Sequence, residues 1–287
     1  GAVDTQIFVY FRTTSNTDLS APNAVWDANT VGRWSLAENP AGTAPQMRDS
    51  TANNNHGTTE GSMTAEQSVE GAVGRALNFD GTDDRVNING GLTPQFTISG
   101  KVRLPSFASK MNNTFYDVAP HNSLTVSLNR TTADGNIQVF IGNGSTWLGA
   151  PSIVSSVHLT QNTWHHLAIV CTGTATILYL DGVNRGSSAH VPSGWGTWWR
   201  MGDIAHATVR EYLAGHLDEF TISNIARSPA WIKALFHSGN NTLLTVQATE
   251  TAPAAAPGRC ERPRHRPSTS RAPARCAKSR RCRRASP

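Results

Sequence analysis

The sequence predicts an antiparallel all-β fold with one short helix near residue 230, and three observations carry that prediction. Apolar and polar residues alternate through Ala76-Leu-Asn-Phe-Asp-Gly-Thr-Asp-Asp-Arg-Val-Asn-Ile88. They alternate again through Thr163-Trp-His-His-Leu-Ala-Ile-Val170 with Ile177-Leu-Tyr-Leu-Asp-Gly-Val183, and through Gly215-His-Leu-Asp-Glu-Phe-Thr-Ile-Ser223. A strand with one buried face must alternate in this way. Two of these phrases contain Asp-Gly, which readily supplies the positive φ angles of a tight hairpin turn.

The other elements follow in chain order. Thr5 to Phe11 reads as a strand and Ser15 to Asn23 as a polar loop. Gln95 to Leu104 alternates and is closed by Pro105. Ser123–Leu128 and Gly135–Ile141 read as a hairpin around Ala133-Asp134-Gly135, and Thr197–Gly202 as a short strand. Ser228-Pro-Ala-Trp-Ile-Lys-Ala-Leu-Phe236 is the single helical phrase. Ser228 stands at the N-cap, Pro229 at the first helical position, and Trp231, Leu235 and Phe236 at helical spacing. No period of 20–50 residues repeats.

Composition narrows the class. Charged residues are only 16% of the 287, with Thr, Ser, Asn and Gly in the polar positions, which suits an extracellular β-protein. No apolar run approaches the roughly eighteen residues that span a bilayer. The chain opens on Gly1-Ala2-Val3 with no basic segment leading into an apolar one, the start expected of a processed protein or a fragment. The net charge of +5 comes from one end. Residues 251–287 hold eleven of the 25 Lys and Arg and one acid, Glu261, leaving 14 basic against 19 acidic residues in 1–250. The body is mildly acidic, so nucleic-acid binding is not expected of it.

From Thr251 to Pro287 there is no Val, Ile, Leu, Met, Phe, Tyr or Trp, and Arg, Ala, Pro and Ser dominate. Such a segment has nothing with which to build a core and is expected to be a disordered basic tail, taken as 246–287. GC-rich DNA read out of frame gives the same mixture, an origin ranked here above a nucleic-acid role. Cys260, Cys276 and Cys282 lie there with spacings that fit neither a zinc finger nor a disulfide framework. Cys171 is expected to be a small buried hydrophobe.

The three strand phrases, in this order, resemble the LamG-like jelly roll of the concanavalin A-like lectin/glucanase superfamily. So does the stretch from Val25-Trp-Asp27 through Gly32-Arg-Trp-Ser-Leu36 to Asp49-Ser-Thr-Ala-Asn-Asn-Asn-His-Gly57. The resemblance covers roughly residues 25–240. It implies a two-sheet antiparallel jelly-roll sandwich over 25–245, with a short helix after the Asp218-Glu219 strand. Residues 1–24 are similar to the last strand of a small β-domain that often precedes such jelly rolls. Similar domains occur in bacterial surface proteins, and display on a bacterial or phage surface is the expectation here; the superfamily includes lectins, adhesion modules, enzymes and spacers, so function must be argued from the site.

Catalysis is not expected. Glycosidases need two carboxylates flanking the scissile bond. The superfamily's β-glucanases carry a Glu-x-Asp-x-(x)-Glu phrase, and none occurs here. Asp218 and Glu219 are adjacent and should point to opposite faces of a strand. No Gly-x-Ser-x-Gly elbow is present, and Cys171 has no activating context. His165-His166 is read as part of its strand, one ring inward and one outward.

Two kinds of binding residue remain. The resemblance implies one structural Ca²⁺ joining an early loop to the last strand, with Asp80 and Asp218 as ligands; the alternative is that Asp80 and Asp83 cap a turn through their own side chains while Asp218 joins a local polar network. Aromatic residues suit sugars, because a pyranose presents C–H groups on one face. Trp147 lies in a Gly-rich loop at 142–149, and Trp195 and Trp198 in another at 193–199. Trp198 and Trp199 must diverge, one to the core and one outward. Trp164 and Trp231 are expected to fill or cover the core. The expected function is a non-catalytic carbohydrate-binding or adhesion module of an extracellular or surface-displayed protein, binding glycans or cell-surface polysaccharide and linked to other domains. The alternatives are an accessory binding domain of a larger glycoside hydrolase and a structural spacer in a surface fibre.

Overall fold

A computed structural model describes residues 26–107, 113–118, 123–130, 132–194, 196–204 and 211–240, all within the first of two compact units, Gly1–Thr245. The strand expected before residue 24 and the tail from 246 fall outside the described residues.

Among the described residues, fifteen strands form two antiparallel sheets. The strands are β1 (Thr30–Trp34), β2 (Gly57–Glu60), β3 (Ser68–Glu70), β4 (Arg75–Asp80), β5 (Arg85–Asn89), β6 (Phe96–Arg103), β7 (Asn113–Val118) and β8 (Leu124–Leu128). They continue with β9 (Ile137–Ile141), β10 (Ile153–Val154), β11 (His165–Cys171), β12 (Thr176–Leu180), β13 (Val183–Ser188), β14 (Trp198–Met201) and β15 (Ala214–Ser223). The first sheet runs β13-β12-β11-β6-β15-β4-β3, with β1 also on β15; the second runs β10-β9-β8-β7-β14-β5-β2. This is the expected two-sheet antiparallel jelly-roll sandwich.

Alternation decides which side chains enter the core. On β6, Phe96, Ile98 and Val102 face inward, as do Leu217, Phe220 and Ile222 on β15, to meet Val86, Ile88, Tyr116 and Val126 of the second sheet. Trp34 and Trp199 are fully buried and meet edge to face at 6.4 Å, a contact worth about 1 kcal/mol beyond the area it buries. Gly100, opposite Phe220, has no room for a Cβ, which would stand 2.8 Å from that ring.

The turns are only partly those expected. Asp181 (φ 52°) and Gly182 (φ 75°) join β12 to β13 as a two-residue hairpin, and both need the left-handed region that Asp-Gly tolerates. The Asp80-Gly81 turn is not a hairpin: β4 belongs to the first sheet and β5 to the second, so the chain crosses the sandwich there.

The long strand β15 organises the first sheet. Along one edge it pairs first with β4 (Ala214–Leu217) and then with β1 (Phe220–Ser223), and between them Glu219 takes φ 55°. The register against β6 slips at the same place, between Asp218 and Thr221. This is a β-bulge, which breaks strict alternation. Arg33 on β1 closes the gap by pairing with Glu219.

Helix α1 (Pro229–Ser238) covers the outer face of the first sheet. The Ser228 hydroxyl accepts from Trp231 N at 3.2 Å as N-cap. Ile232 packs on Ala168, Val170 and Tyr179, with half-buried Trp231 alongside, so Trp231 covers a satellite cluster rather than filling the main core.

Candidate functional site

The outer face of the second sheet carries a groove of about 360 Å³. Its floor is built by alternation on β14 and β5. Trp199 and Met201 point inward, so Trp198 and Arg200 must point out; Val86 and Ile88 point inward, so Asn87 and Asn89 point out. Register then sets Trp198 opposite Asn89 and Arg200 opposite Asn87. The far wall comes from β2 and the loop before it, through His56, Thr58 and Glu60.

Hydrogen bonds hold this floor rigid. Arg200 Nε donates to Asn87 Oδ1 at 2.9 Å, and its Nη1 donates to Asp203 Oδ2 at 2.9 Å and to the Ile204 carbonyl at 3.1 Å. Asn87 Nδ2 donates to Glu60 Oε1 at 2.6 Å, which fixes the orientation of that amide. Glu60 also pairs with Arg85. The Arg200 guanidinium lies 4.8 Å from the centre of the Trp198 ring, so the indole rests on a cation already locked in place. His56 accepts from Asp49 N at Nδ1 (3.0 Å), so the neutral ring carries its proton on Nε2, turned away from that bond. Exposed Asn89 has no side-chain partner among the described residues. An indole beside an unengaged amide is a combination that can stack on a sugar ring and bond its hydroxyls.

The two glycine-rich loops meet at one end of this sheet. Ser193 N donates to the Gly142 carbonyl (3.0 Å), and a Cβ on Gly144 would lie 2.9 Å from Gly194 O, so the approach depends on glycine. Trp147 is half-buried and meets Phe140 edge-on at 5.7 Å. Register runs Arg200, Asp117, Thr125, Phe140 across the sheet, placing Phe140, the ring Trp147 rests on, about 14 Å from Arg200 at three strand spacings. Trp195 lies outside the described residues. Of the expected aromatic residues that are described, Trp147 does not line the groove and Trp198 does. Its polar neighbours Asn87, Asn89, Arg200 and Glu60 went unnoticed in the sequence, although the alternation of Arg85-Val-Asn-Ile-Asn89 was enough to turn both amides outward.

The carboxylates do not arrange as expected, and a shared Asp80–Asp218 calcium site is corrected. Asp80 pairs with Ala214, four residues before Asp218 on the same strand, about 13 Å away. Fully buried Asp218 accepts from Val73 N at Oδ2 (2.9 Å), and its Oδ1 has no partner among the described residues. Burial pushes its carboxyl up to about 6, against the backbone bond from Val73. Asp80 instead gathers with Asp83 and Asp84, their ligand atoms within 4.8 Å of one another. Asp80 Oδ1 accepts from Thr82 N (2.7 Å), and Asp84 Oδ2 accepts from Asp80 N (2.9 Å). Burial raises the Asp84 carboxyl to about 6 as well, with Asp80 and Asp83 adding repulsion.

The histidine pair follows the strand. His165 turns inward, bonded to Asp181 at 2.7 Å and accepting from Thr160 N at 2.9 Å; His166 turns outward under Phe236. Of the two places expected for Trp164, core or cover, it takes the second. It is half-buried on the outer face of the first sheet, 5.3 Å over Arg103, because the core side is already filled by Val102 and Leu104.

Fold and groove together define a jelly-roll domain with an aromatic platform on its second sheet. The chain belongs to the concanavalin A-like lectin/glucanases superfamily, whose family profile matches residues 80–233. No curated protein matches the sequence. Among solved structures, domain 4 of AbnA, a GH43 extracellular arabinanase from Geobacillus stearothermophilus, in complex with arabinotriose, is similar at 19% identity and a TM-score of 0.53, covering 72% of this chain and 98% of that one. The binding domain of Paraclostridial Mosquitocidal Protein 1 is similar at 15% identity and a TM-score of 0.55, covering 73% of this chain. The binding domain of botulinum neurotoxin DC, in complex with SialylT, is similar at 12% identity and a TM-score of 0.53, covering 76%. The chain spans about half the length of each toxin domain, 52% in both cases.

Proposed function

We propose that this chain is a non-catalytic glycan-binding module of an extracellular or surface-displayed protein, and that glycan lies in the Trp198 groove. The observation that carries this reading is the register pair Trp198–Asn89, an indole pinned by Arg200 beside an unengaged amide. Stacking on the indole recognises the C–H face of a sugar without charge, and the amide supplies a donor and an acceptor to its hydroxyls. The fold supports the reading, since solved proteins that share it hold arabinotriose and SialylT. No helix among the described residues is long and apolar enough to cross a membrane. Affinity per site is modest and grows with the number of copies displayed.

Attachment to a larger glycoside hydrolase is a more specific form of the same proposal. It is favoured by the arabinanase domain, which this chain matches over almost its full length. A structural spacer is the competing reading. A neutral-glycan array probed with the wild-type chain and with Trp198→Ala decides between them. Binding by the wild type that the variant loses supports the module; an array blank for both proteins leaves the spacer.

A calcium ion is also part of this proposal, now at the Asp80, Asp83, Asp84 turn. Three carboxylates gathered in one turn suit a hard cation better than does Asp218, which stands opposite Lys101.

A further inference from the structure

A second arginine–tryptophan pair lies on the opposite side of the sandwich, and its chemistry differs from the first. Arg103 at the end of β6 is in register with His216 on β15, and Trp164, immediately before β11, covers both. The guanidinium sits 5.3 Å from the Trp164 ring centre, and the His216 ring is 6.1 Å from the same indole. Arg103 Nε donates to His216 Nδ1 at 2.9 Å. Because Nδ1 accepts, the neutral imidazole carries its proton on Nε2 and that atom is a donor. Neither Nη group of Arg103 has a partner among the described residues.

Arg200 makes the comparison plain. Its Nε and Nη1 groups donate to Asn87, Asp203 and the Ile204 carbonyl, and acceptors surround it. Arg103 and His216 together present two Nη groups and one imidazole N–H, and the next side chain in the row, Asn78 opposite His216, is an amide that can both donate and accept. No carboxylate pairs with Arg103 among the described residues. Asp80 takes the Thr82 amide, and Asp218 takes the Val73 amide. A guanidinium with both Nη groups open is a fork that fits a planar two-oxygen acceptor.

We propose that Arg103, His216 and Trp164 form a second binding site, independent of the Trp198 groove, for a carboxylate-bearing sugar. The carboxylate takes the two Nη groups of Arg103, the His216 Nε2 proton meets a ring or hydroxyl oxygen, and the indole edge covers the sugar. Uronic acids and sialic acids share this chemistry, so both are used as probes.

The test is calorimetric titration of the full chain with trigalacturonate and with 3′-sialyllactose. Fully methyl-esterified trigalacturonate and lactose serve as their neutral counterparts. At least one acidic probe binds, its neutral counterpart binds at least tenfold more weakly, and added salt weakens the acidic one. Arg103→Gln loses at least tenfold, and Trp164→Ala loses binding as well, while Trp198→Ala binds the acidic probe like the wild type. Melting curves establish that each variant is folded; should Arg103→Gln unfold, Trp164→Ala carries the test. The proposal is overturned if both acidic probes fail to bind, if the neutral counterpart binds equally, or if a folded Arg103 or Trp164 variant binds unchanged. Loss of acidic binding in Trp198→Ala alone places both ligands in the groove and also overturns it.

Discussion

Asp27 and Arg227, 200 residues apart, meet through two parallel bonds, Nη1 to Oδ2 at 2.5 Å and Nη2 to Oδ1 at 2.6 Å. Arg227 also donates through Nε to Ser223 Oγ (3.0 Å) and through its amide to Thr97 Oγ1 (2.9 Å), and its guanidinium lies 4.7 Å from the Trp231 ring. One side chain thereby ties the segment before β1 to β6, β15 and the start of α1. The Asp27 carboxyl is held well below the usual carboxylate range, chiefly by its bonds to Arg227.

Arg227→Ala is expected to cost about 2–3 kcal/mol, the range for losing a hydrogen bond to a charged group whose partners stay behind. Arg227→Lys should recover only part of this, since an ammonium cannot make the two-bond fork. Denaturant unfolding measures both. Equal midpoints for all three proteins would show that the fork adds no stability. Because the folded Asp27 pKa is depressed, its contribution is present above the ordinary carboxylate pKa and is lost as the pH falls below about 4.

Trp198→Ala and Trp199→Ala are neighbours with opposite expected outcomes. Trp198 lies on the outer face, so its loss should abolish neutral-glycan binding with little change in melting temperature. Trp199 is wholly buried against Trp34, so its loss should cost about 3–5 kcal/mol. Glycan titration beside thermal unfolding reads both, and a Trp198 variant that unfolds instead would make that residue structural.

Calcium should raise the melting temperature by mass action, by about 2.7 kcal/mol at a hundredfold excess over its dissociation constant. Asp80→Asn should remove most of that rise, and Asp218→Asn should leave it. Identical melting curves in EDTA and in excess calcium would exclude the site. A rise that survives Asp80→Asn and disappears with Asp218→Asn would move the ion to the last strand.

His166 is buried with neither ring nitrogen partnered among the described residues, and burial, helped by Lys101, pulls its pKa down to about 4. The unfolded chain takes up its proton near pH 6.5 and the folded chain does not, so stability is lost as pH falls from 6.5 toward 4. At pH 5 this amounts to about 2 kcal/mol. His166→Leu should therefore be more stable than the wild type at pH 5 and gain less at pH 8. The raised carboxyls of Asp84 and Asp218 act in the opposite sense, losing stability as pH rises through about 6, so the variant must be compared with the wild type at each pH.

Much of the sandwich was legible because alternation is a local signal. The His165–Cys171 strand, the Asp181-Gly182 hairpin and the divergence of Trp198 from Trp199 all follow from period two. What failed depends on pairing between distant strands. Asp80 and Asp218 looked like partners until the register set Asp80 against Ala214. The bulge at Glu219 was hidden too, because nothing in Leu-Asp-Glu-Phe announces a left-handed residue. For Trp164 the choice between core and cover was local, because its position one residue before the inward-facing His165 turns it to the outer face.

The pairing of β1 with β15 has a mechanical consequence. Thr30, where β1 begins, lies against Ser223, where β15 ends. Tension drawn through the flanking chain therefore peels the two strands apart one bond at a time instead of sliding them in shear. Such a seam yields at low force once its first bond fails. The Asp27–Arg227 fork sits outside that first bond, so in a domain pulled from both ends it is the fastening that sets when the seam begins to open.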